Sequence, residues 1–306
     1  MKIRGIGING HPSWWRGDLK IFEEDLKLAQ EVGFDYMEIP PHGLDVICGR
    51  KLNYKRLEKI KEIMGRYKLK YNVHAPDLLN FMDEEREELH KEVFFQVLEF
   101  SKEIGANLVV YHSGWVTSEV AKNKELFEKL KAKERESLAY FADIARDYGI
   151  LLSVENSNID LNIIQGKIFC YGINIYDLVD QIEKIDKPNV GITLDIGHGY
   201  IASKYIINYD FLSAIKRAEK FINNIHLHDN FGTVNDIKEN IPYMYRIIYG
   251  WGDLHLPLGW GNIPFGKIFS IIRPNFTYIT LELESRHRDE YKNSLEFAKK
   301  LCNLFL

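Results

Sequence analysis

The sequence predicts a single α/β domain, a closed (β/α)8 barrel of the TIM-barrel fold class, over residues 1–306. Three observations lead to this prediction. Short runs rich in Val, Ile and Leu alternate with longer stretches whose apolar residues recur at helical spacing. Strands that alternate with helices are typical of a parallel sheet, and the sequence offers eight such strand-like runs. A chain of 306 residues has the length that eight βα units need in one domain.

The predicted strands follow one another at intervals that leave room for a helix between them. They comprise residues 3–8, 36–40, 70–76, 107–114, 150–156, 189–199, 223–230 and 277–285. The predicted helices include residues 18–33 and 86–105, each of which closes on a glycine, and residues 289–305. Residues 230–268 form a long connection between the seventh and eighth strands. The alternative is an open, doubly wound sheet, but no glycine-rich dinucleotide-binding sequence supports it.

Composition and charge narrow the classes of function. With 45% hydrophobic and 27% charged residues, the chain has the balance of a globular protein. Its net charge of -4 provides no general basic field that would attract a polyanion such as DNA. The three cysteines (Cys48, Cys170 and Cys302) form neither a disulfide framework nor a metal-binding CxxC pair. Since we also find no signal sequence and no apolar run of about 18 residues, we expect a cytoplasmic protein without membrane contact.

Side chains that bind metal ions end six of the eight predicted strands, although a buried parallel strand should carry mainly apolar residues. These side chains are His74, His112, Glu155, Asp195 with His198, His226 with His228, and Glu282 with Glu284. The C-terminal ends of all barrel strands meet at one face, where active sites lie, so we expect these groups to share one space. Asp253 and His255, in the glycine-rich stretch 252–261, are expected to complete the cluster.

The number of these groups favours a metal site over isolated structural roles. A single histidine at a strand end is usually a hydrogen-bonded structural residue. Several carboxylates in one buried space would repel one another unless cations balanced them, and bound divalent ions meet that need. Imidazoles and carboxylates without a thiolate suit Zn²⁺, Mn²⁺, Co²⁺ or Fe²⁺. The sequence therefore predicts bound divalent metal ions, and their number remains open at this point.

All five tryptophans lie in predicted loops that follow strands. They are Trp14, Trp15, Trp115, Trp251 and Trp260. Flat aromatic side chains suit stacking against a sugar ring or a base, a subunit interface, or simple packing of the loops. We predict that Trp14, Trp115 and Trp260 contact substrate, together with Glu38 at the end of the second strand. His42 is a further candidate, whereas His90 is expected to be solvated on its helix.

The chain resembles the xylose isomerase-like TIM-barrel superfamily, also called AP endonuclease family 2, over nearly its whole length. The motifs that carry the resemblance are short but occur in a specific order. They are VHAPDLLN (73–80), VYHSG (110–114), VEN (154–156), TLDIGHG (193–199), IHLHDN (225–230), GDLHLPLGWGNIPF (252–265) and ITLELE (279–284). The superfamily includes enzymes of two reaction types, and residues at particular positions distinguish between them.

One chemistry is that of the D-tagatose 3-epimerase-related sugar isomerases and epimerases. The resemblance implies a single divalent ion held by Glu155, Asp195, His226 and Glu282. It also implies that Glu155 and Glu282 are catalytic, since the family's two glutamates move a proton to and from the carbon next to the carbonyl of a sugar or sugar phosphate. Alignment favours His226 over His228 and Glu282 over Glu284, which leaves His228 as a substrate contact.

The same resemblance implies a homodimer or a homotetramer. Members of the epimerase branch often form such oligomers. The loop tryptophans and residues 115–135 are the segments that we expect to meet a neighbouring subunit.

The other chemistry is that of endonuclease IV, which cuts abasic DNA with three zinc ions and nine ligands. The sequence matches every ligand position: His74, His112, Glu155, Asp195, His198, His226, Asp253, His255 and Glu282. Three departures disfavour nucleic acid as the partner. Asp77 stands where endonuclease IV has a tyrosine that contacts DNA. In endonuclease IV a lysine soon follows the motif of the seventh strand, whereas this chain continues with Phe231. Trp260 stands where endonuclease IV has a glutamate.

We therefore predict a metal-dependent sugar isomerase or epimerase, with the phosphodiesterase as the alternative. A protein that binds metal and sugar without catalysis is the third hypothesis.

Overall fold

A computed structural model describes residues 2–234 and 241–304 of the chain. Eight parallel strands close into a barrel, in which each strand pairs with its neighbours in the sequence and the first pairs with the last. The strands are β1 (Lys2–Asn9), β2 (Tyr36–Ile39), β3 (Lys70–His74), β4 (Leu108–His112), β5 (Leu151–Glu155), β6 (Val190–Asp195), β7 (Ile222–Leu227) and β8 (Asn275–Leu281). The closed barrel confirms the predicted fold class over the open sheet.

One main helix follows each strand. The helices are α1 (Leu19–Val32), α2 (Tyr54–Met64), α3 (Glu87–Glu103), α4 (Lys124–Asp147), α5 (Ile175–Ile185), α6 (Phe211–Ala218), α7 (Phe265–Ile271) and α8 (Tyr291–Leu304). Local sequence explains the ends of α1: the Asp18 carboxylate accepts the backbone N–H of Lys20, and Gly33 adopts a left-handed conformation with φ of 96°. The apolar face of α1 buries Phe22 and Leu26 completely against the barrel.

Further elements occupy the connections. The additional helices are Pro12–Trp15, Ser118–Lys122, Leu161–Ile164, Ile196–Tyr205 and Tyr243–Tyr249, and the 3-10 helices are Pro41–Leu44, Tyr171–Ile173, Glu219–Phe221 and Ser285–Glu290. Strand Ile47–Cys48 pairs with Lys51–Leu52, and Trp115–Thr117 pairs with Ile168–Cys170, both antiparallel. The predicted connection 230–268 contains helix Tyr243–Tyr249 and the start of α7, while its residues 235–240 lie outside the described part of the chain.

Most predicted strands extend past the observed ends that carry the polar side chains, and the sixth and eighth do so by four residues each. The sixth, predicted over residues 189–199, ends at Asp195 because the Asp195 carboxylate accepts the backbone N–H of His198 at 2.6 Å and begins helix Ile196–Tyr205. His198 therefore lies in the first turn of a helix. The eighth strand ends at Leu281, so Glu282 directly follows it.

The prediction for His90 is wrong. This residue lies on the face of α3 that packs inward, with only 8% of its surface exposed, and its Nε2 lies 3.5 Å from an Asp83 carboxylate oxygen. Among the described helices, none combines the length and hydropathy needed to cross a bilayer.

Candidate metal centre

The nine predicted ligands meet at the C-terminal face of the barrel. His74, His112, Glu155 and Asp195 are the last residues of β3, β4, β5 and β6, and His226 is the penultimate residue of β7. Together with His228, these ligands form three groups, in each of which the ligand atoms lie within 4.8 Å of one another, and His74 and Glu282 form a fourth such group with Glu38. Site A consists of His74, His112 and Glu155; site B of Glu155, Asp195, His226 and Glu282; and site C of His198, His228, Asp253 and His255. Because Glu155 belongs to both A and B, these two sites are contiguous.

Site B places three carboxylates around one imidazole nitrogen. His226 Nδ1 lies 3.3 Å from Glu155 Oε1, 3.2 Å from Glu282 Oε1 and 3.9 Å from Asp195 Oδ2. All four side chains are buried or nearly so. Within the described residues, His226 Nδ1, both Glu155 carboxylate oxygens and Asp195 Oδ2 lack a hydrogen-bond partner. Buried polar atoms without partners are costly, so this arrangement calls for a cation at their centre.

Site A adds two imidazoles to the other side of Glu155. His74 Nε2 lies 3.4 Å and His112 Nε2 3.3 Å from Glu155 Oε2. The two rings meet edge to face with their centroids 5.0 Å apart. Glu155 Oε2 thus faces two ring nitrogens of site A, while its Oε1 faces His226 of site B.

Site C surrounds the Asp253 carboxylate with imidazoles. His255 Nε2 lies 2.9 Å and His198 Nε2 3.1 Å from Asp253 Oδ2, and His228 Nε2 lies 3.4 Å from Asp253 Oδ1. His255 has a positive φ of 47°, an unusual conformation for a residue other than glycine. Two backbone hydrogen bonds stabilise this conformation. The Leu256 N–H donates to the Asp229 carbonyl, and the Glu284 N–H donates to the His255 carbonyl.

Hydrogen bonds to backbone carbonyls fix how three of the histidines present their rings. Nδ1 of His74, His198 and His255 donates to the carbonyl oxygens of Ala75, Asn156 and Glu282 at 2.8, 2.9 and 3.1 Å, respectively. A carbonyl only accepts, so Nδ1 carries the hydrogen and Nε2 of the neutral ring carries a lone pair. Each Nε2 then faces a carboxylate oxygen, which is also an acceptor. Such pairs need a cation between them, and this anchoring of the second nitrogen is typical of metal-bound histidine.

Without metal ions, protons bound by the histidines balance the negative charge of the carboxylates. Burial by itself would lower the pKa of His74 and His255, but the carboxylates Glu155 and Asp253 beside them raise these pKa values to about 10 and about 9. Burial would raise the pKa of Glu155 and Asp253, but the surrounding imidazoles hold both well below their ordinary values. The carboxylates therefore stay ionised, and divalent ions would bind by displacing protons from the histidines.

Asn156 is a supporting residue that sequence reasoning missed. Its side chain donates to the Asp195 carbonyl at 2.9 Å and accepts the Asp195 N–H at 2.8 Å, and its own carbonyl accepts from His198 Nδ1. Asn156 thus orients one ligand of site B and one of site C. Its position directly after Glu155, in the VEN motif, was the available signal.

Glu38 lies beneath site B. It is 1% exposed, its Oε1 lies 3.2 Å from His226 Nε2, and its Oε2 accepts from the Thr280 hydroxyl at 3.1 Å. A carboxylate behind a histidine orients the ring and increases its basicity as a ligand. Glu38 Oε1 and His226 Nε2 both lack a hydrogen-bond partner among the described residues. Glu38 is therefore a candidate metal ligand with His74 and Glu282 as well as a neighbour of His226, and it borders the cavity.

A cavity of about 560 Å³ opens above the three sites, a size that suits a small molecule. Its lining includes Trp115 and His42 together with Asn9, Asp77, Ser113, Ser157, Asn158, Asp160 and Asn162. Neither Lys nor Arg occurs among its described lining residues. The cavity thus offers hydroxyl, amide and carboxylate groups beside the candidate metal ligands.

The structure separates the other predicted substrate contacts from this cavity. Trp14 and Trp260 are 44% and 46% exposed; Trp14 packs against the Arg288 guanidinium, and Trp260 meets the His287 ring edge to face. Neither lies among the cavity-lining residues, and nor does the fully buried His228. Trp15 is a core residue whose indole donates to Asp25.

Comparison with known proteins places the chain in a family. A model of the family described as xylose isomerase-like TIM barrel matches residues 26–301. The chain is 26% identical over 301 residues to a Methanocaldococcus jannaschii protein named "Uncharacterized protein MJ1311", which covers 95% of this chain and 92% of the relative. It is 27% identical over 224 residues to a protein of Mesomycoplasma hyopneumoniae strain J named "Probable endonuclease 4", which covers 71% of this chain and 70% of the relative.

Solved structures share the whole fold. A D-tagatose 3-epimerase-like protein has a TM-score of 0.72 at 23% identity, over 98% of each chain. A D-psicose 3-epimerase solved in the presence of D-fructose has a TM-score of 0.68 at 16% identity, over 97% of this chain and 99% of the other. At these identities the likeness shows the fold, and the family match extends over most of the sequence. The chain belongs to the xylose isomerase-like TIM-barrel family.

Proposed function

We propose that the protein is a divalent-metal-dependent isomerase or epimerase of an unphosphorylated sugar, which moves a proton at the carbon next to a carbonyl. The observation that carries the proposal is site B, where two glutamates that border the cavity share one imidazole nitrogen with Asp195. Glu155, Asp195, His226 and Glu282 would hold the ion. Bound there, a divalent ion supplies Lewis-acid polarisation of the substrate's carbonyl and hydroxyl oxygens.

Glu155 and Glu282 are suited to act as the proton-transfer pair. Although burial would raise the pKa of each, His226 beside them holds both values below the ordinary range, so both carboxylates are ionised and able to accept a proton. In the proposed reaction one carboxylate removes the proton from carbon and later releases it to water, while the other takes up a proton from water and returns it to that carbon. Glu38 and Asn156 do not meet the substrate's reacting carbon in this scheme, and they keep His226 and Asp195 in position.

The lining of the cavity supports an uncharged, hydroxyl-rich substrate. Asn9, Asn158 and Asn162 offer amides, and Ser113 and Ser157 offer hydroxyls, which are groups that bind sugar hydroxyls. A phosphate group would need cationic partners, whereas the described lining offers Asp77 and Asp160 and neither Lys nor Arg. The structural neighbours named as tagatose and psicose 3-epimerases point to the same substrate class.

Solvent exchange in D₂O tests the proposal. The chelated protein is incubated with Mn²⁺, Co²⁺ or Zn²⁺ and a panel of ketoses, and NMR follows deuterium entry next to the carbonyl. We expect metal-dependent exchange by the native protein and none above background by Glu155→Gln. A metal-loaded protein that exchanges deuterium into no ketose of the panel would contradict the proposal, and exchange only with sugar phosphates would contradict the substrate class.

Hydrolysis of a phosphodiester is the second candidate, because sites A and C provide the further ligands that a three-metal phosphodiesterase uses. The relative named "Probable endonuclease 4" points the same way. The absence of Lys and Arg from the described cavity lining favours the isomerase. Incision of an abasic duplex by the metal-loaded protein, without deuterium exchange into ketoses, would reverse this order.

The cellular setting and assembly remain part of the proposal. Cys48 is an exposed free thiol, and Cys170 and Cys302 are buried free thiols, which suits the reducing cytoplasm that the sequence predicts. The predicted homodimer or homotetramer through residues 115–135 stays a prediction, which sedimentation velocity would test.

A further inference from the structure

We propose that Tyr243 and Arg246 are positioning residues of site C. They hold the backbone of the loop that carries two candidate ligands, Asp253 and His255. Neither Tyr243 nor Arg246 lies among the described residues that line the cavity. The inference rests on the proposal that the centre binds divalent ions, and it goes beyond the reaction proposed for site B.

The loop needs support from other parts of the chain, because residues 253–255 lie outside any helix or strand. Loop residues change position more easily than residues at the ends of barrel strands. Asp253 Oδ2 lies 2.9 Å from His255 Nε2. A small rotation of the backbone between these two residues would turn the carboxylate away from the ring.

Four consecutive carbonyl groups of the loop, those of residues 253–256, each accept a hydrogen bond. The last two accept from the backbone: the Glu284 N–H donates to the His255 carbonyl at 3.1 Å, and the Asp229 N–H donates to the Leu256 carbonyl at 2.9 Å. The first two accept from side chains of helix Tyr243–Tyr249 instead.

Arg246 and Tyr243 supply these two side-chain donors. Arg246 Nη2 donates to the Asp253 carbonyl, and the Tyr243 hydroxyl donates to the Leu254 carbonyl, both at 2.7 Å. Because a peptide unit is planar, a fixed carbonyl oxygen restrains the whole unit. The two units restrained here are the ones that join Asp253 to His255. The helix therefore sets the direction of one ligand side chain relative to the other.

Packing and a further polar contact hold the two donors in place. The Arg246 guanidinium lies over the Tyr243 ring, 5.6 Å from its centre, and the Arg286 guanidinium lies 4.7 Å from the same centre. The Tyr243 hydroxyl gives its hydrogen to the loop, so its oxygen can accept from His287 Nε2, 3.3 Å away. These contacts restrict both side chains to one orientation.

A purely structural role is the competing interpretation, because the same hydrogen bonds also fasten the helix to the barrel. The two roles differ in what the loss of a donor changes. Loss of a residue that orients a ligand lowers the affinity for the ion at that site alone. Loss of a residue that only stabilises the fold lowers the Tm of the metal-free protein and does not single out one ion.

Cobalt binding tests the inference without an activity assay. Chelated protein competes with a chromophoric chelator for Co²⁺, and the equivalent that Asp253→Asn loses identifies the ion of site C. We expect the affinity for this equivalent to fall by about 10-fold in Tyr243→Phe, and by about 100-fold when Arg246→Met is added. The affinity for the other equivalents should stay within about 2-fold of the native value.

Tyr243→Phe removes a single hydroxyl and decides the test by itself if the double variant folds poorly. Tyr245→Phe is the matched control, because it removes an exposed hydroxyl from the same helix, and it should bind Co²⁺ like the native protein. Arg246→Lys keeps a donor and should recover part of the affinity that Arg246→Met loses.

Other outcomes would overturn the inference. Native affinity for every equivalent in Tyr243→Phe would show that the loop keeps its geometry without this donor. Equal weakening of every equivalent, together with a lower Tm of the metal-free protein, would show a structural role. If Asp253→Asn loses no equivalent while deuterium exchange into ketoses is intact, this inference alone is wrong. Failure of the native protein to bind any Co²⁺, Mn²⁺ or Zn²⁺ would overturn the proposed function as well.

Discussion

Two fully buried glutamates in this barrel have opposite surroundings. Glu134, on α4, is 0% exposed and accepts four hydrogen bonds, from the Gly114 N–H, the hydroxyls of Tyr111 and Tyr171 and the Gln181 amide. Glu155 is 1% exposed, and neither of its oxygens has a hydrogen-bond partner among the described residues. Its neighbours are imidazole nitrogens and other carboxylates.

The difference separates a structural carboxylate from one arranged for a cation. Four donors satisfy Glu134 completely, and although burial raises its pKa, those donors act in the opposite direction. Glu155 has neighbours that need a positive charge before they can interact favourably with it. Burial alone therefore does not mark a functional carboxylate, whereas burial together with unpaired acceptors does.

Exchanging each glutamate for glutamine should have the largest effect and should distinguish the two residues most clearly. Glu155→Gln removes a ligand of sites A and B and a proton-transfer group, so we expect loss of ketose exchange by about 100-fold or more. Glu134→Gln brings an amide NH₂ to a site already occupied by donors, so it should destabilise the fold by about 1–3 kcal/mol while metal content is retained. Metal analysis, NMR exchange and urea unfolding measure the three quantities. Equal metal content in the two variants would contradict the distinction.

Asn156 offers a second comparison with the ligands, because it positions two of them without being a ligand itself. Asn156→Ala removes the side chain that fixes both backbone groups of Asp195. We expect metal affinity to fall by about 10–100-fold, as for other residues that orient ligands. Competition titration with a chromophoric chelator measures the affinity, and unaltered binding would show that Asp195 is fixed by other contacts.

The pH dependence of stability should also differ with and without metal. The pKa of His74 and His255 is raised from 6.5 to about 10 and about 9 in the metal-free protein, so proton binding stabilises the fold fully below about pH 6.5. This stabilisation is lost as the pH rises through 9 to 10. The lowered pKa values of Glu155 and Asp253 affect the stability of the fold at acidic pH. The stabilisation from these two carboxylates is lost as the pH falls below about 4.

Thermal unfolding across this range measures the effect. The Tm of the chelated protein should fall from pH 6.5 to pH 10. The gain in Tm from added Zn²⁺ should grow over the same range, because fewer protons compete for the histidines. A metal-free Tm that rises towards pH 10 would contradict the ionisation states described for the site.

The smallest expected effect concerns the tryptophans. Trp115 borders the cavity, so Trp115→Ala should raise the KM for an accepted ketose several-fold. Trp260 lies away from the cavity lining and is half exposed, so Trp260→Ala should leave KM within about 2-fold. Steady-state kinetics compares the two, and a larger effect at Trp260 would support the sequence-based prediction that this residue contacts substrate.

The order of strands and helices was the part that the sequence could predict best. The alternation of strand-like and helix-like apolar patterns indicates a barrel. Because the C-terminal ends of barrel strands lie on one face, the sequence alone predicts that His74, His112 and Glu155 lie close together, as they do in the structure. The end of β6 was misplaced, because only the structure shows that the Asp195 carboxylate turns back to cap the following helix. Side-chain direction was equally inaccessible, so the burial of His228 and the outward position of Trp260 could not be read from spacing.

Elemental analysis of the protein purified without chelator tests most directly whether these three sites hold divalent ions. We expect between one and three equivalents of Zn²⁺, Mn²⁺, Co²⁺ or Fe²⁺ per chain in the native protein, and fewer in Glu155→Gln. Native protein that contains no divalent metal, and that takes up none when it is incubated with these ions, would contradict the interpretation of the site.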